Sequence, residues 1–540
     1  MRNTADDLVK TSLHSVRDDI RAKAPTAEKL STEQRQAYER VTGDNGLAMV
    51  VGFAGTGKSF MLRAAREAWE AQGYRVRGAA LSSMAADSLR KGSGIESRTL
   101  ASTLYRLGSS DKYLSLAAGL TTIIDNMRGD VNVLKTRAKL QAQRDRLSAI
   151  ASSAKLTHRD IVVLDEAAMV GSRQLTQLLT EVKKAGAKIV MVGDAEQLQA
   201  IDAGGAFRAL RDRHGAVEIT EIRRQKEDWQ KQASRDFARS FTDDALGAYK
   251  QRGFIHQKET HAEARTQMVA DWTASRKANP EQTHLMMAFT RDDVHELNQE
   301  ARSAYRDEGK ITGKDTEVMT AQGKRKMAQG DRIYFLKNDL RLKVMNGSLG
   351  TLESILPTLN ADGFTLRVRL DGGEMVKFNT ADYANFTHGY AATVHKAQGA
   401  TIDKALILAS QYMDRHSAYV GMSRHREAAN LYYGNDEFDG SGYSSLVRTL
   451  SRDNRKDTTL DYLERAEQAG KPETFWNRLK RIVPGIGVAR ESKRPSGRFD
   501  DIIARRRAEK AADDPLKTLR DILSVYDRPE REYENSGPSL

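Results

Sequence analysis

The sequence predicts an α/β protein with two parallel-sheet domains in tandem, a helical insertion in the first and a small β-barrel insertion in the second. Three observations carry that prediction. Short apolar runs alternate with amphipathic stretches from Leu30 to about Leu210, and do so again from Ile222 to Tyr433. A charged stretch with few β-branched clusters breaks the first block, and an apolar/polar alternation with turn signals breaks the second. Parallel strands are covered on both faces, so they read as continuous apolar runs separated by helices.

Residues 1–28 are polar and read as a linker or leading helix. The first domain is placed at 29–215, with strands at Leu47–Phe53, Val76–Leu81, Ile161–Leu164 and Lys188–Val192. Its insertion at 109–156 carries many charges, as in Asn132–Arg146, and is expected to be helical. The second domain is placed at 216–440, with strands at Thr283–Phe289, Ala405–Leu408 and Asn430–Tyr433. Within it, 331–385 reads as a small antiparallel barrel: Arg332–Leu336 and Thr365–Leu370 alternate, and Asn346-Gly347 and Asp371-Gly372-Gly373 supply turns. Residues 441–540 are a polar, basic tail, partly disordered by composition, in which Phe475-Trp476, Asn477–Arg481 and Arg505-Arg506-Arg507 read as docking or solvated segments.

Lys and Arg number 86 against 73 Asp and Glu, a net charge of +13 that points to a polyanionic partner. Cysteine is absent, which excludes disulfides and Cys-based zinc sites. No apolar run approaches the roughly 20 residues that cross a bilayer, and Met1–Lys23 lacks the apolar core of a signal peptide. A cytoplasmic protein without membrane attachment is expected.

The strongest local signal is Gly52-Phe53-Ala54-Gly55-Thr56-Gly57-Lys58-Ser59, a phosphate-binding loop with every fixed position filled, between an apolar strand and the helix Phe60–Ala71. Gly52, Gly55 and Gly57, with Thr56, let backbone N–H groups approach phosphates, and the helix N-terminus adds positive potential. Lys58 would reach the β- and γ-phosphates of ATP, and Ser59 would hold Mg²⁺. The run Ile161–Leu164 then delivers Asp165 and Glu166 at a strand end. Asp165 suits the Mg²⁺ shell and Glu166 the attacking water. A third run ends in Gly193-Asp194-Ala195-Glu196-Gln197-Leu198, where Gln197 would sense the γ-phosphate or that water.

In their order along the chain, these motifs resemble superfamily 1 DNA helicases of the RecD-like, 5′→3′ class, and within it the helicase portion of the conjugative TraA-type relaxase–helicases. The resemblance covers about residues 28–435. It implies tandem RecA-like motor domains acting on single-stranded DNA and on single-strand/duplex junctions, with ATP and Mg²⁺. Leu30–Ala37 resembles the adenine-reading element, with Gln34 as reader. Ala80–Ala86 and Ser97–Leu100 resemble DNA-contacting motifs, which implies strand contacts from Ser82, Ser83 and Thr99. Glu221–Gln225 and Tyr419–Arg424 resemble the motifs that send arginines to the γ-phosphate, giving that role to Arg224 and Arg424. Both are expected from the second domain. Ala288–Arg291, followed by Leu297-Asn298, resembles the opening strand and helix of that domain, and Gly389–Gly399 resembles the family's fifth motif, which implies Thr393 and His395 at the DNA. Relaxase–helicases carry a metal-binding histidine cluster and a nucleophilic tyrosine. The 11 histidines here include no His-x-His pair and the stretch before Leu30 is too short for that domain, so a separate motor segment or a stand-alone helicase is expected, with a relaxase or other plasmid-encoded complex as partner. Repair, an RNA-guided defence complex, and DNA remodelling without unwinding stay open as alternatives to conjugative DNA processing.

Overall fold

The structure is a computed structural model of the chain. It describes residues 1–454 except 12, 128–130, 195, 198–204, 340, 359–362 and 440–441, with no side-chain description for 131–135. Met1–Lys456 forms one compact unit. The basic and aromatic segments singled out beyond residue 454 lie outside the described residues.

The first domain is a six-stranded parallel sheet of β1 (Leu47–Gly52), β2 (Arg75–Ala80), β3 (Ser97–Thr99), β4 (Asp160–Leu164), β5 (Lys188–Gly193) and β6 (Val217–Ile219), ordered β3-β2-β4-β5-β1-β6. Successive side chains of a strand face opposite sides, so an unbroken apolar run fills two cores at once. Met49, Val51, Val162, Leu164 and Met191 pack on one face, and Ala48, Val50, Ile161, Val163 and Val192 on the other. β6 pairs with β1, Val50 opposite Val217. The first sheet therefore extends past the expected limit at 215. Three residues are too short a run for periodicity to reveal.

The N-terminal stretch is no free linker. Ala5 and Leu8 of the helix Arg2–Val9 join one core of this sheet, and Val16, Ala24 and Ala27 join the other. The helical insertion is a hairpin of two helices, Leu100–Asn126 and Val131–Ala154, which begins before residue 109. Tyr113, Ala117, Leu120 and Ile124 of the first are buried, as are Leu140, Leu147 and Ala151 of the second. Their spacing of three, four or seven places them on one stripe of each helix.

The second domain opens with β7 (Ile255–Lys258) and β8 (His284–Ala288). A hairpin of β9 (Thr312–Thr320) and β10 (Gly323–Gln329) follows, whose charged, largely exposed strands the sequence reading missed. Next come β11 (Arg332–Phe335), β12 (Leu349–Pro357), β13 (Phe364–Leu370), β14 (Met375–Asn379) and β15 (Phe386–His388). They form an antiparallel sheet ordered β14-β13-β12-β11-β15 around Ile333, Phe335, Leu352, Leu366 and Phe378. Among the described residues its pairing runs from edge to edge without closing, so the expected barrel is an open sheet. The chain then returns with β16 (Ala391–Thr393), β17 (Ile402–Leu408) and β18 (His425–Gly434), giving a second parallel sheet ordered β16-β8-β17-β18-β7. Among the described residues no helix is long and apolar enough to cross a membrane.

Candidate nucleotide site and strand-side cleft

In a parallel sheet every strand points its carboxyl end the same way, and the loops there form one shared rim. The phosphate loop follows β1, Asp165 and Glu166 follow β4, Asp194 and Gln197 follow β5, and Arg224 follows β6. Gly55 and Gly57 both take φ of +80°. A Cβ at Gly57 would lie 2.5 Å from Gln34 Nε2, and one at Gly55 2.5 Å from the Arg224 Cβ, so neither site admits a side chain. Lys58 starts the helix Lys58–Ala71, and its Nζ donates to the carbonyls of Gly52 (2.6 Å) and Phe53 (3.1 Å). Thr56 Oγ1 donates to the Phe53 carbonyl at 3.0 Å.

The acidic pair sits under electrostatic load. Burial first, and the Glu166 carboxylate second, push the Asp165 carboxyl up, while Lys58 draws it down. Glu166 adopts φ 51° and ψ 38°, a left-handed conformation for a non-glycine residue, and its N–H donates to Asp165 Oδ1 at 2.9 Å. Such a backbone costs of order 1 kcal/mol and concentrates at functional sites. Ser59 and Asp165 line the same cleft of about 390 Å³. Hydroxyl and carboxylate oxygens are the donors Mg²⁺ prefers, leaving further positions to water and phosphate.

Two arginines complete the cleft. Arg424, 2% exposed, donates from Nε to the Val420 carbonyl (3.1 Å) and from Nη2 to Gln197 Oε1 (2.8 Å). Arg224 Nη1 donates to the Ser423 carbonyl at 2.8 Å. Burial, and then Arg424, press Arg224 down to about 9. Two guanidiniums and the Lys58 ammonium thus face one pocket, a cationic excess that a polyphosphate would neutralise. Arg424 comes from the second domain, as expected. Arg224 does not: it follows β6 of the first sheet, and the Arg223 N–H donates to the Gly55 carbonyl at 2.8 Å.

Gln34 is placed differently from its assigned role. It is 1% exposed and does not line the cleft. Its Nε2 donates to the Thr56 carbonyl (2.9 Å) and its Oε1 accepts from the Ser31 N–H (3.2 Å), within a capping box of the helix Thr32–Thr42. The amide braces the phosphate loop from below.

The candidate strand contacts divide in the same way. Ser82 caps the helix Ser83–Ser93 by accepting from the Ala85 N–H at 3.1 Å, and Thr99 caps Leu100–Asn126 by accepting from Ser102 at 3.2 Å. Ser83 Oγ accepts from Asn338 Nδ2 of the inserted antiparallel sheet at 2.6 Å. His395 packs edge-on against Phe289, and burial lowers its pKa. Thr393, which accepts from the Lys396 N–H at 3.3 Å, opens onto a second cleft of about 270 Å³. That cleft gathers Arg291, Arg325 and Lys396, none of which the sequence reading had assigned. Arg291 lies in the Ala288–Arg291 motif and Lys396 in the Gly389–Gly399 motif, whereas nothing local marks Arg325. Burial, then Arg291, lowers the Lys396 pKa, and the Arg325 Nε is buried without a hydrogen-bond partner.

Two parallel sheets sharing a cleft, with a phosphate loop on one and an arginine from the other, make this a tandem RecA-like chain of the nucleotide-handling kind. An AAA domain family matches residues 29–260. Conjugal transfer protein TraA of Agrobacterium fabrum is 41% identical over 434 residues, 80% of this chain and 35% of that protein. TraA of Rhizobium radiobacter is 40% identical over 435 residues, 81% of this chain and 35% of that protein. The ATP-dependent RecD2 DNA helicase of Deinococcus radiodurans is 25% identical over 312 residues, 57% of this chain and 39% of that protein. The chain is thus similar to TraA-type conjugal transfer proteins over most of its length and, more distantly, to a RecD2 DNA helicase. It spans about a third of the length of these two TraA relatives.

Proposed function

We propose that this chain is an ATP-hydrolysing helicase motor that moves 5′→3′ on single-stranded DNA in plasmid conjugative DNA processing. The observation that carries the reading is the nucleotide cleft, where Lys58, Asp165 and Glu166 of the first sheet face Arg224 at its edge and Arg424 from the second. In this reading the loop N–H groups and Lys58 bind the β- and γ-phosphates. Ser59 and Asp165 would hold Mg²⁺, which would supply neutralisation of phosphate charge. Glu166, held close by its strained backbone, orients the attacking water and takes its proton. Gln197 lines the cleft beside that water and holds Arg424 there. Arg224 and Arg424 stabilise charge building on the transferred phosphoryl oxygens, a contribution worth roughly 10³–10⁵ in rate.

Because Arg424 comes from the second sheet, closing the cleft on ATP draws the two sheets together and hydrolysis lets them part. The strand would lie along the rim carrying Ser82, Ser83 and Thr99 on one side and Thr393, His395 and the Arg291–Arg325–Lys396 cleft on the other. Phosphodiesters meet hydroxyls, amides and cations there without base selection. Single-strand/duplex junctions and a relaxase or other plasmid-encoded complex are the proposed partners, and the cytoplasm the proposed place of action. The 5′→3′ direction rests only on the resemblance to RecD-like helicases.

Oligonucleotides carrying a streptavidin block at one end test this. ATP-dependent displacement should be faster from the 3′ end, where a 5′→3′ motor arrives, and displacement only from the 5′ end would overturn the polarity. Hydrolysis should be stimulated by single-stranded DNA, and binding should weaken steeply with salt. Hydrolysis indifferent to DNA would reduce the chain to an ATPase of another kind.

A further inference from the structure

We propose that Tyr419 is a positioning residue that ties the phosphate loop to the second sheet, so that the state of the nucleotide reaches Arg424 through its hydroxyl. This inference rests on the cleft being the ATP site. Tyr419 lies in the helix Arg415–Met422, every residue of which is buried. Its ring is wholly inaccessible and packs in a core of the second sheet that also takes in Phe53 and Ala54 of the phosphate loop. The loop therefore already sits partly inside the second domain.

The polarity of the hydrogen bonds at this hydroxyl is fully determined. The Ala54 N–H can only donate, so the Tyr419 oxygen accepts from it, at 2.9 Å. The single phenolic proton then goes to Asp194 Oδ2, at 2.7 Å. Asp194, 1% exposed, also accepts from Gln197 Nε2 (2.9 Å) and from the Glu196 N–H (3.1 Å). With its nitrogen committed to Asp194, Gln197 turns its carbonyl oxygen to Arg424 Nη2, at 2.8 Å. Arg424 closes the circuit through Nε to the carbonyl of Val420, the residue after Tyr419.

Five groups thus form one buried chain from the loop backbone to the arginine. In so dry a setting each bond is electrostatically strong, and a broken one strands its neighbour. Burial pushes the phenol far above its ordinary range and raises Asp194 as well, so the hydroxyl keeps its proton across the working pH range. A loop that shifts to accept a γ-phosphate carries the Ala54 N–H, and with it the helix that precedes Arg424. Tyr419 makes no approach of its own to the phosphates, since it is absent from the lining of the nucleotide cleft.

Tyr419→Phe keeps the ring and removes only the hydroxyl. In the full chain the variant should hold its KM for ATP within about threefold while kcat falls by about tenfold or more, the split expected when transition-state geometry alone is lost. Asp194→Asn should do the same, and the double variant should be no worse than the poorer single one, because both break one circuit. The independent readout is hydrogen exchange across residues 415–424 with and without ADP–aluminium fluoride. Wild type should gain protection there on binding the nucleotide, and Tyr419→Phe should bind it without that gain. Since this arm needs nucleotide binding alone, a wild type that ignores single-stranded DNA would defeat the helicase reading and still leave the inference decided. Wild-type kcat and protection in Tyr419→Phe, no nucleotide-dependent protection in wild type, or a joint fall of kcat, affinity and melting temperature would each overturn it.

Discussion

In the proposed mechanism Lys58 supplies charge at the phosphates and Glu166 takes a proton, so their variants should part accordingly. Lys58→Ala removes the ammonium that donates to the Gly52 and Phe53 carbonyls, so hydrolysis should fall by at least about 100-fold with the circular dichroism unchanged. Near-normal turnover would dismiss the phosphate assignment. Glu166→Gln keeps shape and polarity but cannot take a proton, so ATP affinity should persist while hydrolysis is lost and a DNA-bound state accumulates. Loss of ATP binding in parallel with hydrolysis would show that the carboxylate serves binding. Gln34 separates two roles as cleanly. Its amide is spent on the Thr56 carbonyl and the Ser31 N–H, so Gln34→Ala should raise the KM for ATP and for GTP by the same factor. A loss confined to ATP would return it to the adenine edge.

At the scale of elements, the two insertions differ in how they meet the motor. The helical hairpin Leu100–Ala154 is stitched to itself along its buried stripe and rooted in the first domain through Leu107 and through Arg77, which donates to the Ala154 carbonyl at 3.1 Å. Removing 111–149 and bridging with Gly/Ser should therefore spare the root. Duplex separation is expected to suffer more than single-strand-stimulated ATPase, and equal loss of both would make the hairpin a structural support. The antiparallel insertion instead reaches back to the first domain. Asn338 bonds Ser83, and Gly347, at φ +99°, packs so tightly that a Cβ would overlap the sulfur of Met84. Sequence offered only the Asn346-Gly347 turn, whereas the contact beneath it explains why glycine is needed there.

For the whole molecule, burial has left histidines neutral, and that sets an acid limit on stability. Burial lowers His388 to about 4 and His425 to about 3. A base whose folded pKa is depressed binds its proton more readily when unfolded, so stability is full above the unfolded value near 6.5 and declines as pH falls from there toward the folded values. Thermal unfolding followed from pH 7.5 to 5 should show the melting temperature dropping below pH 6.5, and less steeply in His388→Gln. An identical slope in that variant would assign the acid limit to other groups.

The sequence by itself determined the sheet-forming runs, the phosphate loop and the acidic pair. Each is local: a strand buried on both faces must be apolar throughout, as Leu47–Gly52 and Asp160–Leu164 nearly are, and a loop that cradles phosphate must carry its glycines in a fixed spacing. Short or charged strands such as Val217–Ile219 and Thr312–Thr320 escaped it, because three residues carry no period and an exposed hairpin needs no apolar face. Tertiary structure alone decided which polar groups meet. Tyr419 reaches Asp194 across 225 residues, Arg424 reaches Gln197 across 227 and Asn338 reaches Ser83 across 255. It also set Arg224 at the edge of the first sheet and Gln34 beneath the loop. The physical reason is that a buried hydrogen bond is specified by where two distant backbones are brought together, and no residue type announces its partner.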